Sequence, residues 1–308
     1  MTRPYAIALS FGFVAAFLMG ANSVIVRYLT ADLHGLQIAV FRLWIACFVI
    51  FAMLKLSGRR LSLFRLDRYT LLASAGFTLN YITFHIGLEL TSATNAMVLE
   101  NTAPFFVLLF LVIAGVERVR WFDVLATCLA LAGVYLTVRH DFDAGADGSL
   151  VGDFWELGAG FSWAIFIVGS AQAVKQTRST MDRMEVLLKI LLPSAVVLSP
   201  SLLLYPLEAT ASDALLLVLL GVLSTALGYY LWYEAMATVS TVTAALLAVL
   251  SVVFTFVIAY LALGEEMTAD ILIGGALIIT GVVLPGIMNA RQQPKTGEER
   301  AAAGVKED

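Results

Sequence analysis

The sequence predicts an all-α integral membrane protein, with ten transmembrane helices in two inverted five-helix repeats around a central cavity. Three observations support this fold class: the composition, a series of apolar runs and an internal repeat. Of the 308 residues, 60% are hydrophobic and only 14% are charged, whereas a soluble domain carries about 25% charged residues. So few charges cannot cover a water-facing surface of this size, and nothing in the charge balance indicates nucleic-acid binding.

Ten apolar runs follow one another along the chain, each close to the ~20 residues that a helix needs to cross a bilayer. The first run is too long for the apolar core of a signal peptide, so we predict an uncleaved span there. Most connections are short, which favours antiparallel packing of consecutive spans. The predicted spans are Tyr5–Tyr28, Leu36–Leu56, Tyr69–Leu88, Ala93–Ala114, Trp121–Val138, Gly152–Val174, Met184–Tyr205, Ala214–Ala235, Val239–Leu263 and Ala269–Met288.

Basic residues alternate between the connections in a way that predicts the orientation. Lys and Arg cluster in Lys55–Arg68, Arg118–Arg120, Lys175–Arg183 and the C-terminal tail. By the positive-inside rule these segments are cytoplasmic, so both termini are predicted to face the cytoplasm in a multi-pass protein of the cell (inner) membrane. The predicted organisation is a first repeat at 1–140, a second at 150–290 and a disordered cytoplasmic tail at 291–308.

An internal repeat links the two halves. Leu79–Leu136 and Leu227–Leu284 align without a gap, 148 positions apart, with about one residue in five identical. The shared positions include Tyr81/Tyr229, Ser92/Ser240, Glu117/Glu265 and Gly133/Gly281. With five spans in each half, the second half must enter the membrane from the opposite side, and such inverted repeats are typical of alternating-access transporters.

Short motifs carry a resemblance to a known family over nearly the whole chain. They are Gly20-Ala21-Asn22 in the first span, Phe41-Arg42 in the second, Thr102-Ala103-Pro104 in the fourth and Gly264-Glu265 after the ninth. In these motifs the chain resembles the EamA family of the drug/metabolite transporter superfamily, although Met19 stands where that family often has Trp. The resemblance implies a ten-helix bundle with a central cavity, and export of amino acids, related metabolites or drugs.

The fourth span departs most from an apolar helix. A carboxylate such as Glu100 costs at least about 2.5 kcal/mol inside hydrocarbon. Pro104 cannot donate a hydrogen bond to the carbonyl of Glu100, four residues back. A polar cavity can satisfy both groups, whereas lipid satisfies neither. We therefore predict that Ala93–Ala114 forms the wall of an internal cavity.

Polar residues of the first four spans fall in one predicted layer, between the midplane and the outer face. Because consecutive helical residues point about 100° apart, at most one of Glu100 and Asn101 is expected to face the cavity axis. Tyr81 and Tyr229 could form outer and inner gates, or pack as aromatic residues. Glu117 and Glu265 are predicted to anchor helix ends. The candidate substrate-binding or cavity-lining residues are Asn22, Arg42, Asn80, Tyr81, His85, Glu100, Asn101, Trp163 and Tyr229.

Arg42 and Glu100 leave three interpretations open. They can grip a zwitterion, with the guanidinium on a carboxylate and the Glu carboxylate on an ammonium group. They can form an ion pair that neutralises two stranded charges. Arg42 can instead extend to the outer interface. Glu100 could also carry a proton and so couple export to proton entry.

The predicted function is a secondary active transporter that exports small metabolites such as amino acids or drug-like compounds by alternating access. A sugar-phosphate or nucleotide-sugar exchanger is the first alternative, but only Arg42 and Lys189 lie well within spans. A membrane-embedded enzyme is the second, but HExxH, GxSxG and His/Asp clusters are absent from the sequence. We predict no enzyme activity, cofactor, metal or nucleic-acid partner. The expected partners are a small-molecule substrate, membrane lipid and protons as candidate coupling ions, with the protein a monomer or a weak homo-oligomer.

Overall fold

The computed structural model describes residues 3–59, 61–63, 65–143, 149–207 and 209–292. Ten helical segments in these residues are long and apolar enough to cross a membrane, so the predicted ten-span α-helical fold is confirmed. Most of the predicted tail, residues 293–308, lies outside the described residues. The repeat boundaries at 1–140 and 150–290 stay predictions.

Within the described residues, twelve α-helices build the ten spans. The fourth span is split into α4 and α5, and the eighth into α9 and α10 with a π-helical stretch, Leu220–Leu227, between them. A 3₁₀ turn, Ser199–Leu203, extends the seventh span. The helices are α1 Arg3–Leu29, α2 Gly35–Leu56, α3 Arg68–Leu90, α4 Ala93–Glu100, α5 Ala103–Ala114, α6 Trp121–Asp143, α7 Leu150–Lys175, α8 Thr180–Leu198, α9 Ala211–Leu219, α10 Gly228–Met236, α11 Thr241–Leu263 and α12 Ala269–Gln292.

The packing of the spans follows the predicted repeat. The third span packs on the sixth, as the eighth packs on the first. The first span packs on the ninth, and its counterpart, the sixth span, packs on the fourth. The second span packs on the eighth, and its counterpart, the seventh span, packs on the third. The pairs second–seventh and fifth–tenth map onto themselves. Each close pair therefore has a counterpart five spans later, as two inverted repeats require.

Residues shared by the repeats have matching structural tasks. The hydroxyl groups of Ser92 and Ser240 cap α4 and α11 by accepting a backbone N–H bond, at 3.1 and 3.2 Å. Gly115 and Gly264, which are 149 positions apart and so one position out of the repeat register, also end α5 and α11 alike, in the left-handed region with φ of 61° and 69°. Glycine adopts this conformation without the penalty that a Cβ atom brings. The two halves thus begin and end these helices in the same way.

A second shared pair allows α6 and α12 to approach closely. A Cβ atom on Gly133 would lie 2.5 Å from the carbonyl oxygen of Gly274, and one on Gly281 would lie 2.6 Å from that of Ala126. Side chains at these positions would force the helices apart, so glycine is required for the contact. The fifth and tenth spans are therefore held together from both repeats in the same manner.

Lys175, the last residue of α7, marks one end of the bundle, and Arg27, in the last turn of α1, marks the other. The Lys175 end holds the connections α2–α3, α5–α6, α7–α8 and α10–α11. The Arg27 end holds the connections α1–α2, α3–α4, α6–α7, α8–α9 and α11–α12. Most Lys and Arg residues outside the spans belong to the Lys175 end, which the positive-inside rule predicts to be cytoplasmic.

Candidate functional site

A cavity of about 380 Å³ lies inside the bundle. It extends from the middle toward the Arg27 end, because α3 contributes Phe84 and Leu88 from its last two turns and α4 contributes Ala96 near its start. Its volume is within the ~300–1,000 Å³ usual for small-molecule sites. The other lining residues are Met19, Asn22, Ser23, Arg42, Met97, Glu100, Asn101, Ala103, Pro104, Trp163, Ile167, Ser224, Thr225, Tyr229, Ala245, Ala248, Val249, Ser251, Val252 and Thr255.

The fourth span breaks at the cavity wall. Helix α4 ends at Glu100, Asn101 is its C-cap, and α5 begins with Pro104 in its first turn. Proline is tolerated there because the first N–H groups of a helix have no intrahelical acceptor. The side chain of Asn101 donates to the carbonyl oxygen of Met97 at 2.7 Å, and the same carbonyl also accepts the backbone N–H of Asn101 at 3.3 Å.

The break changes the geometry behind one prediction. We expected at most one of Glu100 and Asn101 to face the cavity axis, and both side chains line the cavity wall. The prediction assumed a continuous helix, in which consecutive side chains diverge by about 100°. Asn101 lies at the helix end instead, and its side chain bends back toward Met97.

Arg42 projects from α2 into the layer between three helices. Its guanidinium group donates to the Asn22 amide oxygen on α1 and to the Tyr81 hydroxyl on α3. These partners lie inside the bundle, so the side chain does not extend to the outer interface. Its Nε atom is buried without a partner within the described part of the chain. Both partners are neutral, so the positive charge stays available to a ligand.

Glu100 is also held by a neutral partner. The Asn80 amide donates to Glu100 Oε1 at 3.4 Å and to the carbonyl oxygen of Ala159 on α7 at 3.0 Å. Arg42 and Glu100 are near enough to interact electrostatically. Among the described residues, however, no direct ion pair joins them, so the mutual neutralisation that we considered is not formed. Opposite charges therefore face one cavity without cancelling.

Aromatic side chains form a second part of the wall. Trp163 lines the cavity and stacks in parallel on Trp232, with 6.3 Å between ring centroids. Phe77 contacts both Tyr81 and Tyr229, at centroid distances of 4.9 and 5.8 Å. The two tyrosines thus lie together in the core. Outer and inner gates would need them at opposite ends, so the packing interpretation describes them.

The nine predicted residues fall into three groups. Six line the cavity, whereas Asn80 and Tyr81 lie one layer behind it and hold Glu100 and Arg42. His85 packs on the start of α2, where a Cβ atom on Gly35 would lie 3.0 Å from its ring. The six that line the cavity are Asn22, Arg42, Glu100, Asn101, Trp163 and Tyr229.

Sequence reasoning missed the hydroxyl groups of the cavity wall. Thr225 donates to the carbonyl oxygen of Leu220 at 3.1 Å, and Thr255 donates to that of Ser251 at 3.0 Å. Such bonds satisfy Ser and Thr inside a helix, so these residues are common in spans and give no signal in a sequence. The cavity hydroxyls are those of Ser23, Ser224, Thr225, Ser251 and Thr255.

Sequence reasoning also passed over Glu156, a carboxylate within the predicted sixth span. A charged residue in an apolar run was the same signal that identified Glu100, and it was available there.

In the part of the chain that the structure describes, no group of three or more His, Cys, Asp or Glu residues could hold a metal ion. The arrangement suits a ligand with both charges, hydrogen-bonding groups and an apolar part.

Comparisons with known proteins agree with this architecture. The EamA-like transporter family matches residues 6–139 and 150–286. The chain is 30% identical to "Uncharacterized transporter YdfC" of Bacillus subtilis over 253 residues, which cover 80% of each chain. It is 29% identical to an "Uncharacterized transporter" of Archaeoglobus fulgidus, over 70% of this chain and 74% of that one.

Two more distant similarities extend the comparison. The chain is 23% identical to the "S-adenosylmethionine uptake transporter" of Rickettsia bellii, over 90% of this chain and 92% of that one. A solved crystal structure superposes with a TM-score of 0.77 at 20% identity, and the match covers 93% of this chain and 99% of that one. The double match to the family, on a ten-span fold with a polar central cavity, leads to one conclusion: this chain is a membrane transporter that belongs to the EamA-like transporter family.

Proposed function

We propose that the protein is a secondary active transporter for small zwitterionic metabolites, such as amino acids and compounds that contain an amino-acid group. The single observation that carries the proposal is that Arg42 and Glu100 line one cavity, each held by neutral partners rather than by the other. A guanidinium group binds a carboxylate, and a carboxylate binds an ammonium group. The two charges therefore match the two ends of a zwitterion.

The remaining wall supports a substrate with an apolar or aromatic part. Trp163 and Tyr229 offer ring surfaces, and the volume of about 380 Å³ leaves room beyond an amino-acid group. The Rickettsia relative is named for S-adenosylmethionine, a compound that itself has an amino-acid group. A sugar phosphate or nucleotide sugar fits less well, because Arg42 is the one basic residue among the described lining residues.

Transport would proceed by alternating access around this layer, since inverted repeats can rock against each other about a fixed site. The family resemblance suggests export, whereas the Rickettsia relative is named for uptake. Glu100 is a candidate for proton coupling because it lines the cavity. We infer a cell-membrane location with cytoplasmic termini from the basic residues of the Lys175 end.

Counterflow in proteoliposomes tests the proposal. We expect the purified protein to exchange radiolabelled amino acids across the membrane. Arg42→Gln and Glu100→Gln should each weaken the apparent affinity about tenfold to hundredfold. This change corresponds to the loss of about 1.5–3 kcal/mol for a hydrogen bond to a charged group. Gradients imposed in each direction then separate export from uptake.

Matched controls exclude a general effect of charge. Arg68→Gln and Glu89→Gln remove charges of the same type from exposed positions outside the cavity and should leave flux unchanged. Arg42→Lys keeps the charge but loses the planar fork, so it should recover part of the affinity. Wild-type flux that is absent for every amino acid, or unchanged in both cavity variants, would contradict the proposal.

A further inference from the structure

Glu156 is a fully buried carboxylate that the proposed binding layer does not use. It lies in the second turn of α7, about 9 Å from the start of that helix at the usual rise per residue. Its exposure is 0%, and neither carboxylate oxygen has a hydrogen-bond partner among the described residues. A buried polar group without a partner calls for an explanation, because nearly all such groups are satisfied in folded proteins.

The neighbouring helix makes room for this side chain. A Cβ atom on Gly87 of α3 would lie 2.7 Å from Glu156 Oε1 and 2.8 Å from its Cγ. Glycine inside a helix is less favourable than alanine by about 1 kcal/mol. The position of Gly87 within α3 is therefore explained by the space that the carboxylate needs, so the carboxylate sits in a built niche.

Two acidic side chains act on Glu156 among the residues that the structure describes. Asp153 lies one turn earlier on α7 and Glu100 lies on α4. Asp153 is satisfied by donors, since it accepts from the Thr91 hydroxyl and from the Asn95 amide, the latter at 2.9 Å. Neither neighbour offers a positive charge that could stabilise an ionised Glu156.

The titratable side chains of α3 near this level face elsewhere. His85 packs on Gly35 of α2. Glu89 contacts His34, with 3.3 Å between Oε1 and Nε2. An ionised carboxylate buried without a donor or a counter-charge costs several kcal/mol, whereas the protonated acid removes that charge.

We propose that Glu156 is a proton-binding site of this transporter, which holds its proton in the conformation described and exchanges it with the cavity by way of Glu100. Asn80 lies between the helices that carry the two acids, since its amide donates to Glu100 of α4 and to the carbonyl oxygen of Ala159, three residues beyond Glu156 on α7. On release, the O–H bond of Glu156 breaks, the proton moves to a Glu100 carboxylate oxygen or to cavity water, and a carboxylate remains. The coupling part of this inference rests on the proposed function.

Infrared spectroscopy of the purified protein at neutral pH tests the protonation directly. A protonated carboxyl group has a carbonyl stretch well separated from those of a carboxylate. We expect this band in the wild type and its loss or reduction in Glu156→Gln. The control Asp153→Asn removes a donor-satisfied acid one turn away and should leave the band unchanged. Identical spectra for the wild type and Glu156→Gln would overturn the proposal.

A second measurement uses only the wild type, in case Glu156→Gln does not fold. Hydrophobic carbodiimides react with protonated carboxyl groups in apolar surroundings, and peptide mass spectrometry locates the adduct. We expect modification at Glu156 at neutral pH, less at alkaline pH, and none at Asp153. Absence of the adduct at every pH would contradict a protonated Glu156. A higher melting temperature of the wild type in Na⁺ than in an equal concentration of choline would identify a metal-cation site instead.

Transport separates the proton site from the transporter function. In Glu156→Gln we expect substrate exchange at equal pH to continue and acceleration by a pH gradient to disappear. Gradient-driven flux that is retained in this variant would reduce Glu156 to a structural acid and contradict its role in coupling. A wild type that shows the infrared band but no flux would instead refute the proposed function, so the two failures are distinguishable.

Discussion

The two ends of the bundle carry the same type of ion pair in different surroundings. At the Lys175 end, Glu117 from the α5–α6 connection pairs with Lys175 at the end of α7. At the Arg27 end, Glu265 from the α11–α12 connection pairs with Arg27 in the last turn of α1. Glu117 and Glu265 are 148 positions apart, and so are Arg27 and Lys175; this is the offset of the internal repeat.

Burial separates the two ion pairs. The side chains of Glu117 and Lys175 are 20% and 30% exposed, whereas those of Glu265 and Arg27 are 37% and 70% exposed. Glu117 also accepts from the hydroxyl and, at 3.1 Å, from the backbone N–H of Thr241. Burial alone would raise the pKa of Glu117, but the hydrogen bonds and charge of Lys175 and Thr241 outweigh it and hold that pKa below its usual range.

A second pair of contacts between the halves is also more strongly charged at the Lys175 end. At the Lys175 end, Arg59 binds Asp182 and Glu185, the latter at 2.9 Å. At the Arg27 end, the ring of Tyr205 stacks on His34, with centroids 3.6 Å apart. The cavity extends toward the Arg27 end, where this stacked pair and the exposed Arg27–Glu265 pair lie. The repeat therefore supplies equivalent residues at both ends, and the ion pair is more deeply buried at the Lys175 end.

The largest expected effect is that of Glu117→Gln. It removes the negative charge that pairs with Lys175 and turns one of the two acceptor oxygens into an amide donor. A half-buried ammonium group is then left without its counter-charge. We expect the free energy of unfolding to fall by about 2 kcal/mol. Breaking a buried ion pair costs at least ~3 kcal/mol and losing an exposed one at most ~1 kcal/mol, and this pair is intermediate in burial. Thermal unfolding measures this loss. A cysteine at Ser251, on the cavity wall, should also become reactive from the Lys175 end; unchanged reactivity would contradict a closing role.

Acidification should weaken the Lys175 end next. Because the folded-state pKa of Glu117 is lowered, its contribution to stability is complete above about pH 4.3, the ordinary value for glutamate. It is lost as the pH falls through the lower folded-state value. Melting temperatures along an acid series should therefore fall more steeply in the wild type than in Glu117→Gln. Parallel curves for the two proteins would show that this carboxylate is not the titrating group.

Arg59→Gln is expected to have a moderate effect. It removes the contacts to Asp182 and Glu185 but leaves Lys189, which lies 3.0 Å from Glu185, to balance one of the two acids. We expect a loss of about 1 kcal/mol in the free energy of unfolding, measured by thermal unfolding. The double variant with Glu117→Gln should lose less than the sum of the single losses if the two contacts close one interface cooperatively, because each single loss already includes the coupling between them. Strict additivity would mean independent contacts.

Glu265→Gln should have the smallest effect. The pair with Arg27 is exposed, so its loss should cost less than ~0.5 kcal/mol and diminish further in high salt. Glu266→Gln removes a neighbouring exposed charge and serves as the matched control. A loss as large as that of Glu117→Gln would remove the difference between the two ends on which the comparison depends.

Much of the fold could be predicted because the bilayer restricts what a sequence can do. Ten apolar runs of spanning length leave few architectures, and the shared pairs Ser92/Ser240 and Gly133/Gly281 have matching tasks in the structure. The missing backbone donor at Pro104 was read from the sequence, but the split of the fourth span into α4 and α5 was not predicted. By contrast, the π-helical stretch in the eighth span and the hydroxyl groups of the cavity carry no comparable local cost, so nothing in the sequence pointed to them.

The sequence by itself determined the number of spans, the inverted repeat and the polar groups that could not face lipid, because the cost of burying charge in hydrocarbon is local and large. Only the tertiary structure decided how those groups are paired. Arg42 took Asn22 and Tyr81 as partners, and Glu100 took Asn80. Pairing depends on distances of a few ångströms between side chains of different helices, and these distances follow from how the helices pack rather than from the spacing of residues along the chain.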